Sequence, residues 1–151
     1  MPLGDALRRR DATGVRLEFD PGAPSARPTY RLGADEDLLD LACPSVRQCT
    51  AISSGGQVQW FDPASESAAS NIFQIDEDGN LLGIACPSLR QCTAVDDLGG
   101  ELTFDPRTLV GPIPAVPRIA LDPDSLTALA CPSATRCTAV DDHGREVTFA
   151  P

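Results

Sequence analysis

The chain has 151 residues, enough for one repeat domain with its own core but not for two large ones. A hydrophobic content of 42% argues against disorder, and no apolar run approaches the roughly 20 residues of a membrane span. A net charge of −10 argues against a nucleic-acid partner, and all twelve basic residues are Arg, which excludes Schiff-base chemistry and a phosphate-loop lysine.

In chain order, the first 31 residues hold six Arg and four acidic residues, a net of +2, so the rest of the chain carries −12. The start, MPLGDALRRRDATG, has no apolar stretch of the signal-peptide kind. Arg8-Arg9-Arg10 reads as a solvated basic segment or as one laid against an acidic surface. LEFDP at 17–21 is the first strand and turn, and PTYRL around Tyr30 is a second, looser strand. Four strands then follow: A at 38–43 (LLDLAC), B at 48–53 (QCTAIS), C at 57–61 (QVQWF) and D at 71–75 (NIFQI). The order returns as LLGIAC, QCTAVD, ELTF and PRIAL, and again as LTALAC, RCTAVD and EVTF. Pro-Ser after A, a Gly-Gly pair after B in two of the copies, and Asp-Pro after C mark the turns.

The repeat is therefore about 43–45 residues long, from Cys43 to Cys86 to Cys131. It divides one repeat domain, 1–151, into a partial unit at 1–37, full units at 38–80 and 81–125, and a partial unit at 126–151. Many short strands at regular spacing with no helical period indicate an all-β fold of repeated four-stranded antiparallel units. Strand A is apolar throughout, as expected of a strand buried on both faces. Strand C alternates, with Leu102 and Phe104 on one side and Glu101 and Thr103 on the other, as expected of a half-exposed strand. That gradient suits a propeller blade, whose first strand lines the axis. Threefold repetition also fits a β-trefoil or β-prism.

CPSxxxCTAVDxxG, followed by a strand and Asp-Pro, resembles the blade repeat of secreted bacterial propeller-like proteins. These belong loosely with the Asp-box and photosystem II assembly-factor-like propellers. The resemblance runs from about Gly14 to Pro151 and implies about three propeller-type blades plus a partial one. The third strand ends in Phe-Asp-Pro, not in the Ser-x-Asp-x-Gly and Trp of the sialidase Asp box, which weakens a sialidase inference.

Six cysteines form three C-x5-C pairs: Cys43 with Cys49, Cys86 with Cys92, and Cys131 with Cys137. Each pair flanks one tight turn, which brings the α-carbons within bridging distance. A seven-residue loop closed in this way contributes roughly 2.3 kcal/mol in the chain-entropy model. Disulfides place the chain outside the cell or on its surface. The alternatives are reduced cytoplasmic thiols packed as small apolar groups, zinc ligands, or redox cysteines, the last without C-x-x-C.

Other candidate sites compete with structural readings. Asp76-Glu77-Asp78-Gly79-Asn80 resembles part of a calcium loop, but the twelfth position from Asp76 is Pro87 rather than Glu, so an Asp/Gly turn is expected. Asp96-Asp97 and Asp141-Asp142 recur after strand B, either as turn formers or as a rim for cationic partners. Trp60 stands where Thr103 and Thr148 stand in the other copies, on the expected exposed face of strand C; it reads as packing or as a stacking platform for a ligand. His143 is a lone loop histidine with no cognate nucleophile.

No catalytic residue, cofactor or metal is assigned. The expected role is a non-catalytic binding or assembly module that presents loops to a protein or glycan, with Trp60, Asp96, Asp97, Asp141, Asp142 and His143 as ligand contacts. The alternatives are a fragment of a glycoside-hydrolase-like propeller enzyme, working through paired rim carboxylates, and a lectin-like trefoil. Three blades fall below the usual propeller range of four to eight, so a homodimer that completes a ring is expected, with Arg8–Arg10 near the junction.

Overall fold

The computed structural model describes residues 15–16, 30–32, 36–65 and 70–151. The basic segment Arg8–Arg10 and the strand expected at 17–21 lie outside them. β1 (Val15–Arg16) and β2 (Tyr30–Arg31) pair as a two-stranded antiparallel ribbon. β3 (Leu38–Ser45), β4 (Gln48–Ser53), β5 (Gln57–Phe61) and β6 (Phe73–Gln74) form a four-stranded meander, blade 1. β7 (Leu81–Ser88), β8 (Gln91–Asp96), β9 (Gly100–Phe104) and β10 (Arg118–Ala120) repeat it as blade 2. β11 (Leu126–Ser133), β12 (Arg136–Asp141) and β13 (Glu146–Phe149) form blade 3, which has three strands among the described residues. The fold is all-β, with the blades side by side and their first strands adjacent, as in a propeller rather than a trefoil or prism. No helix among the described residues is long and apolar enough to cross a membrane.

The Pro-Ser pair is not the turn that the sequence suggests. The first strand of each blade runs through it, and the turn is the next dipeptide: Val46-Arg47, Leu89-Arg90 and Ala134-Thr135. A β-bulge makes this workable. Ala42 pairs with Thr50 and Ser45 with Gln48, so Cys43 and Pro44 together oppose Cys49. Proline is tolerated there because the bulge leaves its position without a ladder bond to donate. The same arithmetic holds between Ala85 and Ser88 and between Ala130 and Ser133. The three cysteine pairs are bonded as the spacing indicates, with α-carbons 4.0, 4.1 and 4.1 Å apart.

The main core lies between blades 1 and 2. Ile52, Val58, Phe73 and Ile75 of blade 1 pack on Ala94, Leu102 and Phe104 of blade 2. A smaller core joins Val95 of blade 2 to Leu126 and Ala139 of blade 3, with Val147 and Phe149 against it. Leu32, beside β2, covers Cys49, Ala51 and Phe61 on the far face of blade 1. Each blade thus turns the Ile52/Val95 type of face toward the next blade and the Ala51/Ala94/Ala139 type toward the previous one.

This arrangement corrects two expectations from patterning. The first strand is well buried only in blade 2, where blades lie on both sides. In blade 1 its Leu39 and Leu41 are exposed, and the most buried strand is β4, closed in by its own sheet and by both neighbouring faces. Strand C is not half-exposed in blade 2 either. Both faces of β9 meet another blade, so Glu101 is 2% exposed and only Thr103 of the strand is partly open.

Candidate functional site

Antiparallel order sends the turns to two ends of the molecule. One end carries the A–B turns and the loops after strand C. The other carries the B–C turns and the segments that enter each first strand. The second end gathers acid: Glu36-Asp37, Asp76-Glu77-Asp78, Asp96-Asp97, Asp122, Asp124 and Asp141-Asp142. Among the described residues, the cations placed beside them are Arg118, Arg145 and, when protonated, His143.

The repeated aspartates divide into two roles. The first of each pair is structural. Asp96 is 0% exposed, and its Oδ1 accepts the backbone N–H groups of Leu98 at 2.9 Å and Gly100 at 2.7 Å, which holds the turn around Gly99. Asp141 does the same for His143 and Arg145, at 2.9 and 2.7 Å. An arginine closes each site. Arg118 reaches Asp96 Oδ2 at 2.5 Å and Oδ1 at 3.0 Å. In blade 3 the corresponding bond comes from Arg145, whose Nε lies 2.6 Å from Asp141 Oδ2, and the same guanidinium binds Asp122 at 3.1 Å and also Asp124.

The two arginines come from different places. Arg118 is on the fourth strand, and a Cβ on Gly100 would run into its guanidinium. Arg145 stands at the position of Gly100 itself. Blade 3 therefore supplies from its B–C turn the charge that blade 2 takes from its fourth strand. Neither arginine was singled out from the sequence; the exchange of Gly100 for Arg145 between aligned copies is the signal that marks them.

The second aspartates lie nearer the surface. Asp97 Oδ1 accepts the N–H of Asn80 at 2.8 Å, and its Oδ2 accepts from the Asn80 side chain at 2.6 Å. Asp142 is exposed, with Oδ1 2.8 Å from His143 Nδ1. Asp124, Asp141 and His143 place their ligand atoms within 4.8 Å of one another. Arg145 pairs with Asp124 and Asp141, so two of the three members are already charge-paired. The Asp76 loop is the Asp/Gly turn expected of it: Asp76 Oδ1 accepts from Asp78 and Gly79, both at 3.1 Å.

Burial sets the titration of the inner acids. For Asp96 burial opposes ionisation, but the Arg118 hydrogen bonds and the N–H groups of Gly100 and Leu98 outweigh it and hold the carboxyl below its ordinary range. Asp76 goes the other way. Burial raises it, the two N–H bonds lower it, and the charge of neighbouring Asp96 raises it again, for a net rise. Its Oδ2 is buried without a partner. Glu101 is raised by burial, offset in part by the Thr103 hydroxyl that donates to Oε2 at 2.8 Å.

Trp60 is not on an exposed face. It pairs with Thr50 on the face of blade 1 that turns toward blade 2, and it is half-buried. Of the six candidate contacts, the structure gathers Asp96, Asp97, Asp141, Asp142 and His143 at one end and leaves Trp60 apart. The opposite end is apolar and basic. Val46 and Leu89 project at the turn tips, 87% and 42% exposed, beside Arg47 and Arg90, which pair with Asp62 at 2.8 Å and Asp105 at 3.1 Å. There the loop after β9 lines an open groove of about 290 Å³ with Phe104, Leu109, Val110 and Pro114.

No family model matches the sequence, and no curated protein does. Among solved structures, one described as YCF48 bound to D1 peptide superposes with a TM-score of 0.73 at 11% sequence identity. The superposition covers 93% of this chain and 45% of that one, so the chain spans less than half of that protein's length. The likeness is one of fold.

Proposed function

We propose that this chain is a non-catalytic, propeller-type binding module whose acidic end takes a basic segment of a partner protein. The observation that carries this reading is the segregation of carboxylates at the B–C end, with Asp142, Glu77 and Asp78 exposed. A rim of one sign raises the local concentration of a segment of the opposite sign and speeds its encounter. A fold of this type with a bound peptide gives the reading a precedent. The inner aspartates are committed to turn capping and ion pairs and Asp97 to Asn80, which leaves Asp142, Glu77 and Asp78 for contact. Three disulfides suit an oxidising compartment, so the partner is sought outside the cell or on its surface.

The test is a titration with fluorescent peptides of equal length, one rich in Arg and one rich in Glu, at two salt concentrations. The expected result is binding of the basic peptide alone, weakened at least about tenfold from 50 to 500 mM salt because exposed charges are screened. Asp142→Asn with Glu77→Gln, both at exposed positions, should weaken it further. Equal binding of both peptides, or binding indifferent to salt and to these substitutions, defeats the proposal.

A further inference from the structure

The outward face of blade 3 repeats a face that blade 2 buries. On blade 2, Val95 pairs with Glu101 and Thr93 with Thr103. On blade 3, Val140 pairs with Glu146 and Thr138 with Thr148. Both faces carry the same chain of hydroxyls. Thr93 and Thr103 lie 2.8 Å apart, and Thr103 donates to Glu101 at 2.8 Å. Thr138 and Thr148 lie 2.8 Å apart, and Thr148 donates to Glu146 at 3.0 Å. The environments differ completely. Against blade 3, Val95 is 0% and Glu101 2% exposed, whereas Val140 is 42% exposed and Glu146 is open to solvent.

Two further features of the blade-to-blade contact stop at the same place. Gln48 donates from its side chain to the Leu89 carbonyl in the next blade's turn at 2.7 Å, and Gln91 donates likewise to Ala134 at 2.7 Å. Arg136 holds that position in blade 3 and is exposed. β5 and β9 each pair with a fourth strand, whereas among the described residues β13 has β12 on one side and no strand on the other. A sheet edge with no partner strand among the described residues, beside an open face, is a template for another chain.

We propose that this face, centred on Val140, Glu146 and Thr148 and bounded by Arg136 and the edge of β13, docks a second copy of this chain and continues the ring. Continuity with the blade 2–blade 3 contact is the first reason for that occupant: what fits there is a unit of this same repeat. Length is the second. This chain covers 45% of the solved propeller described above, so two copies span nine-tenths of it. Charge is the third. The first 31 residues carry +2 while the remainder carries −12, so the basic start of one copy complements the acidic remainder of the other. Two such contacts related by a two-fold axis close without leaving a free end.

Light scattering coupled to size exclusion, run from about 1 to 200 µM, reads the assembly state. The expected mass is twice 15.9 kDa. Val140→Asp should return it to 15.9 kDa, with a dissociation constant raised at least about tenfold and unchanged circular dichroism, because an exposed position tolerates the charge. Glu146→Arg should act in the same direction. Ile119→Asp, on the exposed fourth strand of blade 2, should leave the dimer intact. A monomer at every concentration overturns the proposal. So does a dimer indifferent to Val140→Asp and Glu146→Arg, or an assembly that grows past two copies.

Discussion

Glu101 and Asp96 sit at the two ends of one turn and respond to pH in opposite directions. Burial raises Glu101, so folding favours its protonated form. Its contribution to stability is full below the unfolded carboxylate pKa and is lost as pH rises through the folded value. Asp96 is lowered by Arg118 and two backbone N–H groups acting against burial. Its contribution is full above the unfolded pKa and is lost as pH falls through the folded one. Glu101→Gln is therefore expected to stabilise the protein at pH 7 by about 1 kcal/mol, a gain that vanishes near the ordinary carboxylate pKa of about 4. Asp96→Asn is expected to cost about 2 kcal/mol at pH 7, because it strips Arg118 of its partner and two turn N–H groups of their charged acceptor. That cost shrinks on acidification. Urea midpoints from pH 3 to 8 check both, and curves that move in the same direction with pH would contradict the assignment.

Within the hairpins, glycine and cysteine fix what the strands alone leave loose. Gly99 and Gly111 share a left-handed backbone, with φ of 75° and 76°. A Cβ on Gly99 would overlap the Asp122 carbonyl, whereas a Cβ on Gly111 would meet nothing within 4 Å. Gly111→Ala should thus cost about 1 kcal/mol, the left-handed penalty alone. Gly99→Ala should cost clearly more, since a backbone carbonyl must also move and the Gly99 carbonyl accepts from Leu121 and Asp122 at 2.9 and 3.0 Å. Thermal melts of the pair separate strain from collision. Replacing Cys86 and Cys92 together by Ala should cost about 2 kcal/mol, the entropy of a loop this short. Non-reducing peptide mapping of the native protein should recover each cysteine bonded six positions along.

Across the whole molecule, stability concentrates in blade 2, because among the described residues it alone packs against a blade on each side. Hydrogen exchange should be slower in β8, buried from Cys92 to Asp96, than in β12, whose Val140 is open. Equal protection in the three second strands would show that the blades open as one unit. Chelation should leave the melting temperature unchanged, since Arg145 already neutralises the carboxylates grouped with His143. A drop on adding EDTA would show a cation in place of that ion pair.

The repeat itself determined the blade count, the strand order and the cysteine pairing, because each depends on contacts within about fifteen residues of chain. Cys43 and Cys49 meet across one hairpin whatever surrounds it. The two roles of the repeated aspartates were half legible: turn capping is local, but the arginine that completes each site is not. Arg118 reaches Asp96 from 22 residues away, and nothing in its own neighbourhood marks it. What only the tertiary structure decided is which faces are wet. Alternation along strand C reports two sides and not what stands beside each, so Glu101 and Glu146, at the same position of the same repeat, are buried and exposed according to whether another blade follows. Trp60 followed the same rule, placed outside by its pattern and turned toward blade 2 by the stacking of sheets. Periodicity in sequence is set by the backbone of one strand, whereas burial is set by the neighbour that the assembled sheets bring to it.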